Sequence, residues 1–126
     1  MDSRRPVRVL IVEDEHVSRK ALATLLSASG YRVESAESAE RALSILREHD
    51  DDPDVALVDV DLPGMSGLEL LGRMRQIAPS VVPVIVTASE RERVMAAATA
   101  ADASYLRKPI NFNHLLNVLD RSVVHA

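Results

Sequence analysis

Val55-Ala56-Leu57-Val58-Asp59-Val60-Asp61-Leu62-Pro63-Gly64-Met65-Ser66-Gly67 is the stretch from which the rest of this chain can be placed. Val55 to Val58 is apolar without polar alternation, the pattern of a strand covered on both faces. The run ends at Asp59, so an acid sits at the carboxyl end of a buried strand. Leu62-Pro63-Gly64 is turn chemistry: proline sets its own φ and glycine permits a positive one, which stops the strand and begins a loop. Alone, such an acid is an ordinary strand end, and its meaning depends on what else converges on it.

On the amino-terminal side, Val7 to Val12 reads as a buried strand with Arg8 its only charge. Val17, Ala21, Leu22, Leu25 and Leu26 then recur at helical spacing until Gly30. Tyr31 to Ser35 predicts a weaker strand, and Ala39, Ala42, Leu43 and Leu46 share one face of a second helix before the acidic Asp50-Asp51-Asp52-Pro53 loop. On the carboxyl-terminal side, Leu68, Leu71, Met74 and Ile77 mark a third helix stopped by Pro79. Val81 to Thr87 reads as a strand with Pro83 near its start, where proline is tolerated. Glu90 to Ala101 is alanine-rich and helical by propensity. Tyr105 and Leu106 make a short last strand, and Asn111 caps a final helix carrying Leu115, Leu116, Leu119 and Val123. Five strands alternating with five helices predict an α/β fold, one five-stranded parallel sheet with helices on both faces, because each parallel connection requires a crossover.

The 126 residues suit a single domain that buries roughly two-thirds of the surface of its unfolded chain. A net charge of −4 and a pI near 5.5 argue against direct nucleic-acid binding, which calls for a basic face. The absence of cysteine excludes disulfides, thiolate metal sites and cysteine nucleophiles. Arg4 and Arg5 precede an apolar run, but Val9 to Val12 is far too short for a signal sequence and leads directly into Glu13-Asp14-Glu15. No membrane association is expected, and the cytoplasm is the default location.

In open sheets of this kind, ligands bind beyond the carboxyl ends of the strands. The residues that follow the strands here are Glu13 and Asp14, Asp59, Thr87 and Lys108, the last of these one of only two lysines. Each has an ordinary use: Asp14 as a helix cap, Glu13 as a solvated acid near a helix start, Thr87 as a β-branched strand former, Lys108 as a surface cation. Their common edge is what those uses leave unexplained. Crowded carboxylates repel unless a proton or cation neutralises them, and an oxygen-only donor set favours Mg²⁺ over zinc or copper. Lysine suits a phosphate as a point charge, and a threonine hydroxyl can bond a phosphoryl oxygen. A carboxylate that accepts a phosphoryl group needs such surroundings.

With these residues in order, the chain resembles a receiver domain of the two-component response regulators. The matching pieces are Ile11-Val12-Glu13-Asp14, Asp59 to Gly67, Val86-Thr87-Ala88 and Tyr105-Leu106-Arg107-Lys108-Pro109, and the likeness runs from Val7 to about Val124 of one domain, residues 1–126. The resemblance implies a flavodoxin-like sheet with strand order 2-1-3-4-5. It also implies phosphorylation of Asp59 by a histidine kinase or a histidine phosphotransfer protein. Asp14, Asp59 and the backbone carbonyl of Asp61 would hold Mg²⁺, with Glu13 acting through water; Lys108 would pair with the phosphoryl group and Thr87 would turn its hydroxyl to it. Tyr105 would shift with Thr87 and alter the face made by the fourth helix, fifth strand and fifth helix, which would meet a downstream protein or a second copy. Taken alone, Tyr105 is equally a core aromatic with its hydroxyl at the surface. The first helix, His16 to Leu26, would dock the kinase.

Two features depart from the family. Asp61 places an extra negative charge at the mouth of the site, and Ala100-Ala101-Asp102-Ala103 lacks the glycine that many receivers carry before the fifth strand. Two other functions compete. Asp59-Val60-Asp61 imitates the Asp-x-Asp of haloacid-dehalogenase-like phosphatases, although their motif usually lies near the chain start and runs on to a threonine, where Leu62-Pro63 stands here. A pseudo-receiver that binds partners without phosphorylation is the other, and the intact acid, threonine and lysine set speaks against it. A stand-alone receiver, a relay intermediate and one domain of a longer regulator all remain open.

Overall fold

The computed structural model describes residues 5–48, 51–91 and 103–124. Five parallel strands, β1 (Arg8–Val12), β2 (Arg32–Ala36), β3 (Val55–Asp59), β4 (Val82–Thr87) and β5 (Ser104–Arg107), form one sheet in the order β2-β1-β3-β4-β5. Four helices are present among the described residues: α1 (His16–Ala28), α2 (Ala39–Glu48), α3 (Gly67–Ile77) and α4 (Phe112–Val124). The expected sheet and its order are therefore observed. Most of the helix expected over 90–101, together with Ala100-Ala101-Asp102, lies outside the described residues.

The unbroken apolar runs follow from burial on both faces. Successive side chains of a strand point to opposite sides, so Leu10, Val12, Ala56 and Val58 pack with α2 and α3 through Leu43, Leu46, Leu70 and Leu71. Val9, Ile11, Val55 and Leu57 take the other face, against Leu26 of α1 and Leu115 and Leu119 of α4. Each such fully buried aliphatic side chain contributes roughly 1.5–3 kcal/mol of burial free energy. Pro83 sits comfortably in β4 because the Val82 N–H is spent on the Asp54 carbonyl, 3.0 Å away on the β3 side. The next position faces β5, whose pairing begins only at Val84.

Three apolar positions expected on buried helix faces are exposed: Val17 at 72%, Leu25 at 45% and Ile77 at 41%. In α1 the stripe that meets the sheet is Leu22, Ala23 and Leu26. Val17, Ala21 and Leu25 form a second stripe at the same spacing of four and face outward. Helical period identifies a stripe but not which stripe the sheet covers. The caps are local: Glu15 accepts the Ser18 amide at the start of α1, Ser66 the Glu69 amide in α3, and Asn111 the His114 amide in α4. Glu15, not Asp14, thus caps the first helix, and Asp14 is left for other use.

Candidate functional site

The turns that follow β1, β3, β4 and β5 open at one edge of the sheet. There lie the three buried polar or charged residues found among those described: Glu13 at 6% exposure, Asp59 at 3% and Thr87 at 3%. Burial of charge is costly unless the groups are paired, and here each acid has partners. Asp59 Oδ2 accepts from Lys108 Nζ at 2.5 Å, and Asp59 Oδ1 accepts the Asp61 N–H at 2.8 Å. Glu13 Oε2 accepts the Glu15 N–H at 3.0 Å, while its Oε1 lies 3.6 Å from Lys108 Nζ. One carboxylate oxygen from each of Glu13, Asp14 and Asp59 falls within 4.8 Å of the others.

Local sequence explains how these groups arrive. Gly64 adopts φ +70°, which the Pro-Gly turn anticipates, and the Met65 N–H donates to Glu40 Oε2 of α2 at 3.3 Å, tying the loop to the neighbouring helix. Gly67 is required for a different reason: a Cβ there would lie 2.5 Å from both the Asp59 carbonyl oxygen and the Val60 Cα. The first turn of α3 is thus seated directly on the end of β3. Lys108 is brought across by β5, whose register with β4 ends at the Thr87–Arg107 pair, and its own N–H donates to the Thr87 carbonyl at 3.1 Å. The Lys108–Pro109 peptide is cis.

Electrostatics separates the two charged partners. Burial pushes the Glu13 carboxyl above its ordinary pKa, and nearby Asp59 adds to this; the Glu15 amide and Lys108 oppose it without prevailing. For Lys108, burial works against the charge, yet the hydrogen bond it donates to Asp59 and the charges of Asp59, Glu13 and Asp61 raise its pKa above the ordinary lysine value. Three carboxylates therefore face one ammonium, and the excess negative charge sits among hard oxygen donors. That donor set fits a divalent cation of the Mg²⁺ type.

The sequence-derived residues Glu13, Asp14, Asp59 and Lys108 are brought into contact range, and the Asp61 backbone joins them through its N–H. Thr87 lies at the same edge, with Oγ1 accepting the Ser89 N–H at 3.0 Å. Tyr105 is half-buried against the core cluster on the α2 and α3 side of the sheet. It shares a cleft of about 460 Å³ with Thr87, Ala88 and His114. Two contributors were not visible in the sequence, Glu40 and Arg19, the latter reaching back to the carbonyls of Glu13 and Asp14. No motif marks either one, because each acts through backbone atoms of a distant or preceding loop.

The response regulator receiver domain pattern matches residues 9–120, and the chain belongs to that family. It is 38% identical over 119 residues, 94% of its length, to a cyclic di-GMP phosphodiesterase of Thermotoga maritima, of which it covers 30%. It is 37% identical over 112 residues, 87% of its length, to the virulence transcriptional regulatory protein PhoP of Salmonella typhimurium, of which it covers 49%. The chain thus spans half or less of these relatives. Among solved structures it superposes with a TM-score of 0.81 and 30% identity on the response regulator protein TrrA of Thermotoga maritima in complex with Mg²⁺ and BeF, covering 92% of this chain and 98% of that one. The domain is therefore a signalling receiver of two-component systems. No helix among the described residues is long and apolar enough to cross a membrane.

Proposed function

We propose that this domain accepts a phosphoryl group on the Asp59 carboxylate from the phosphohistidine of a histidine kinase or a histidine phosphotransfer protein. The observation that carries the proposal is the coincidence of Glu13, Asp59 and Thr87 as buried polar groups at one sheet edge, with Lys108 on Asp59. In the transfer an Asp59 oxygen forms a bond to phosphorus, the phosphorus–nitrogen bond breaks, and the imidazole leaves with that electron pair and takes up a proton. Asp14, Asp59 and the Asp61 carbonyl would hold Mg²⁺, with Glu13 contacting it through water. The cation would supply charge neutralisation for the incoming phosphoryl oxygens.

Lys108 is already positioned by Asp59 and pairs with a phosphoryl oxygen as the carboxylate becomes an acyl phosphate. The Thr87 hydroxyl exchanges its Ser89 partner for another phosphoryl oxygen. Tyr105, across the cleft from Thr87, follows that movement and alters the face around β5 and α4, where a downstream protein, an output domain or a second copy is controlled. Such a switch is a two-state element biased by one added phosphate. The outward stripe of Val17, Ala21 and Leu25 suits the donor's docking surface, and the domain works in the cytoplasm as one unit. Membership of the receiver family supports the signalling reading over the phosphatase one.

The test is labelling with a small-molecule phosphodonor, with and without Mg²⁺, followed by intact mass measurement. Incorporation of one phosphoryl group in Mg²⁺ and none in Asp59→Ala is expected. Equal incorporation in Asp59→Ala would refute the assignment, and no incorporation into the wild type would favour a phosphorylation-independent binding module.

A further inference from the structure

The two acids after β1 lie on a short turn whose backbone is held from several sides. The Glu13 N–H donates to the Ala36 carbonyl at 3.1 Å, and the Glu15 N–H is taken by the Glu13 carboxylate. The two carbonyls of the turn are held by a single side chain from within α1. Arg19 Nη1 lies 3.0 Å from the Glu13 carbonyl oxygen and 3.2 Å from that of Asp14, while its Nη2 lies 3.2 Å from His16 Nδ1. Each carbonyl belongs to a peptide plane, and holding that plane narrows the backbone rotation that sets where the adjoining Cα–Cβ bond points. Gripping both planes therefore restricts both carboxylates together.

We propose that Arg19 is a positioning residue for the divalent-cation site, clasping the carbonyls of Glu13 and Asp14 so that their carboxylates are aimed at Asp59 before the metal arrives. The inference rests on the reading of Glu13 and Asp14 as metal-binding acids. Arginine suits this task, because the two N–H groups of Nη1 are fixed in the guanidinium plane and Nη2 is steadied against His16, whereas the donors of a lysine ammonium rotate freely about one nitrogen. Such second-layer partners commonly tune metal affinity without touching the ion.

Charge makes the proposal testable by its sign. A guanidinium close to a cation site repels the cation, so if Arg19 acted only through its charge, removing it would tighten Mg²⁺ binding. If it acts by holding the turn, removing it weakens binding. The experiment is calorimetric titration of Mg²⁺ into wild type, Arg19→Ala and Arg19→Lys at fixed ionic strength, with thermal unfolding of each in chelator as a measure of fold. Mg²⁺ affinity should fall about 10-fold in Arg19→Ala, and Arg19→Lys, which keeps N–H donors but loses the planar geometry and the nitrogen beside His16, should recover part of the loss. Unchanged or tighter binding in Arg19→Ala overturns the proposal, as does a lower melting temperature with wild-type Mg²⁺ affinity. Failure of the wild type itself to bind Mg²⁺ overturns the metal reading and the role of Arg19 with it.

Discussion

Replacing Gly67 with alanine places a methyl carbon 2.5 Å from the Asp59 carbonyl oxygen and from the Val60 Cα. Both atoms belong to backbone at the end of β3, a strand paired on both sides, so neither can rotate away. Ordinary contact between carbons needs about 3.5 Å, so α3 and the strand end must separate by roughly 1 Å. Overpacking of this kind costs about 1–3 kcal/mol, and the rigidity of the obstructing atoms puts Gly67→Ala at about 3 kcal/mol. Gly72, in the same helix, has nothing within 4 Å of an added Cβ. Alanine there gains helix propensity and should stabilise by up to about 1 kcal/mol. Urea unfolding followed by far-UV circular dichroism measures both, and the two variants should move the midpoint in opposite directions with the slope unchanged. Because the clash lies at the acceptor itself, Gly67→Ala should also slow modification of Asp59 by a phosphodonor, and Gly72→Ala should not. A Gly67→Ala protein as stable as wild type, or midpoints that shift in the same direction, would refute the close packing of α3 on the acceptor strand.

Two further outcomes follow from the charges. Glu13 has a folded pKa raised above 4.5, so the stability linked to its proton is present below 4.5 and is lost as pH rises through the raised value. In metal-free buffer, Glu13→Gln should therefore gain stability relative to wild type as pH is raised from 4.5 towards neutrality; thermal melts in chelator across that range check it, and a difference independent of pH is the contrary result. The Asp61 side chain is exposed and acts on Lys108 through its charge. Asp61→Asn removes a competitor for Lys108, and at about 0.5–1 kcal/mol for an exposed pair the phosphoryl half-life should lengthen about two- to five-fold. Identical half-lives by phosphate release would sink that role.

Much of the site was legible because buried parallel strands leave long apolar runs and their ends leave abrupt polar breaks. Val55 to Val58 followed by Asp59, and Val84 to Val86 followed by Thr87, show where the backbone exits the core without any knowledge of neighbours. What escaped was orientation. Val17, Ala21 and Leu25 have the spacing of a buried stripe, yet the sheet covers Leu22, Ala23 and Leu26. Asp14 has the chemistry of a helix cap, yet Glu15 takes that place.

The sequence by itself determined the class of fold, the identity of the acids at the strand ends and the turn at Pro63-Gly64, since all of these depend on local geometry and on burial recorded in composition. Only the tertiary structure decided which partners meet. Lys108 reaches Asp59 from 49 positions away, Glu40 reaches the acceptor loop from α2, and Gly67 is excluded from carrying a side chain by the strand end beneath it. These contacts depend on strand order and on how each helix seats against the sheet, and a one-dimensional period carries no record of either.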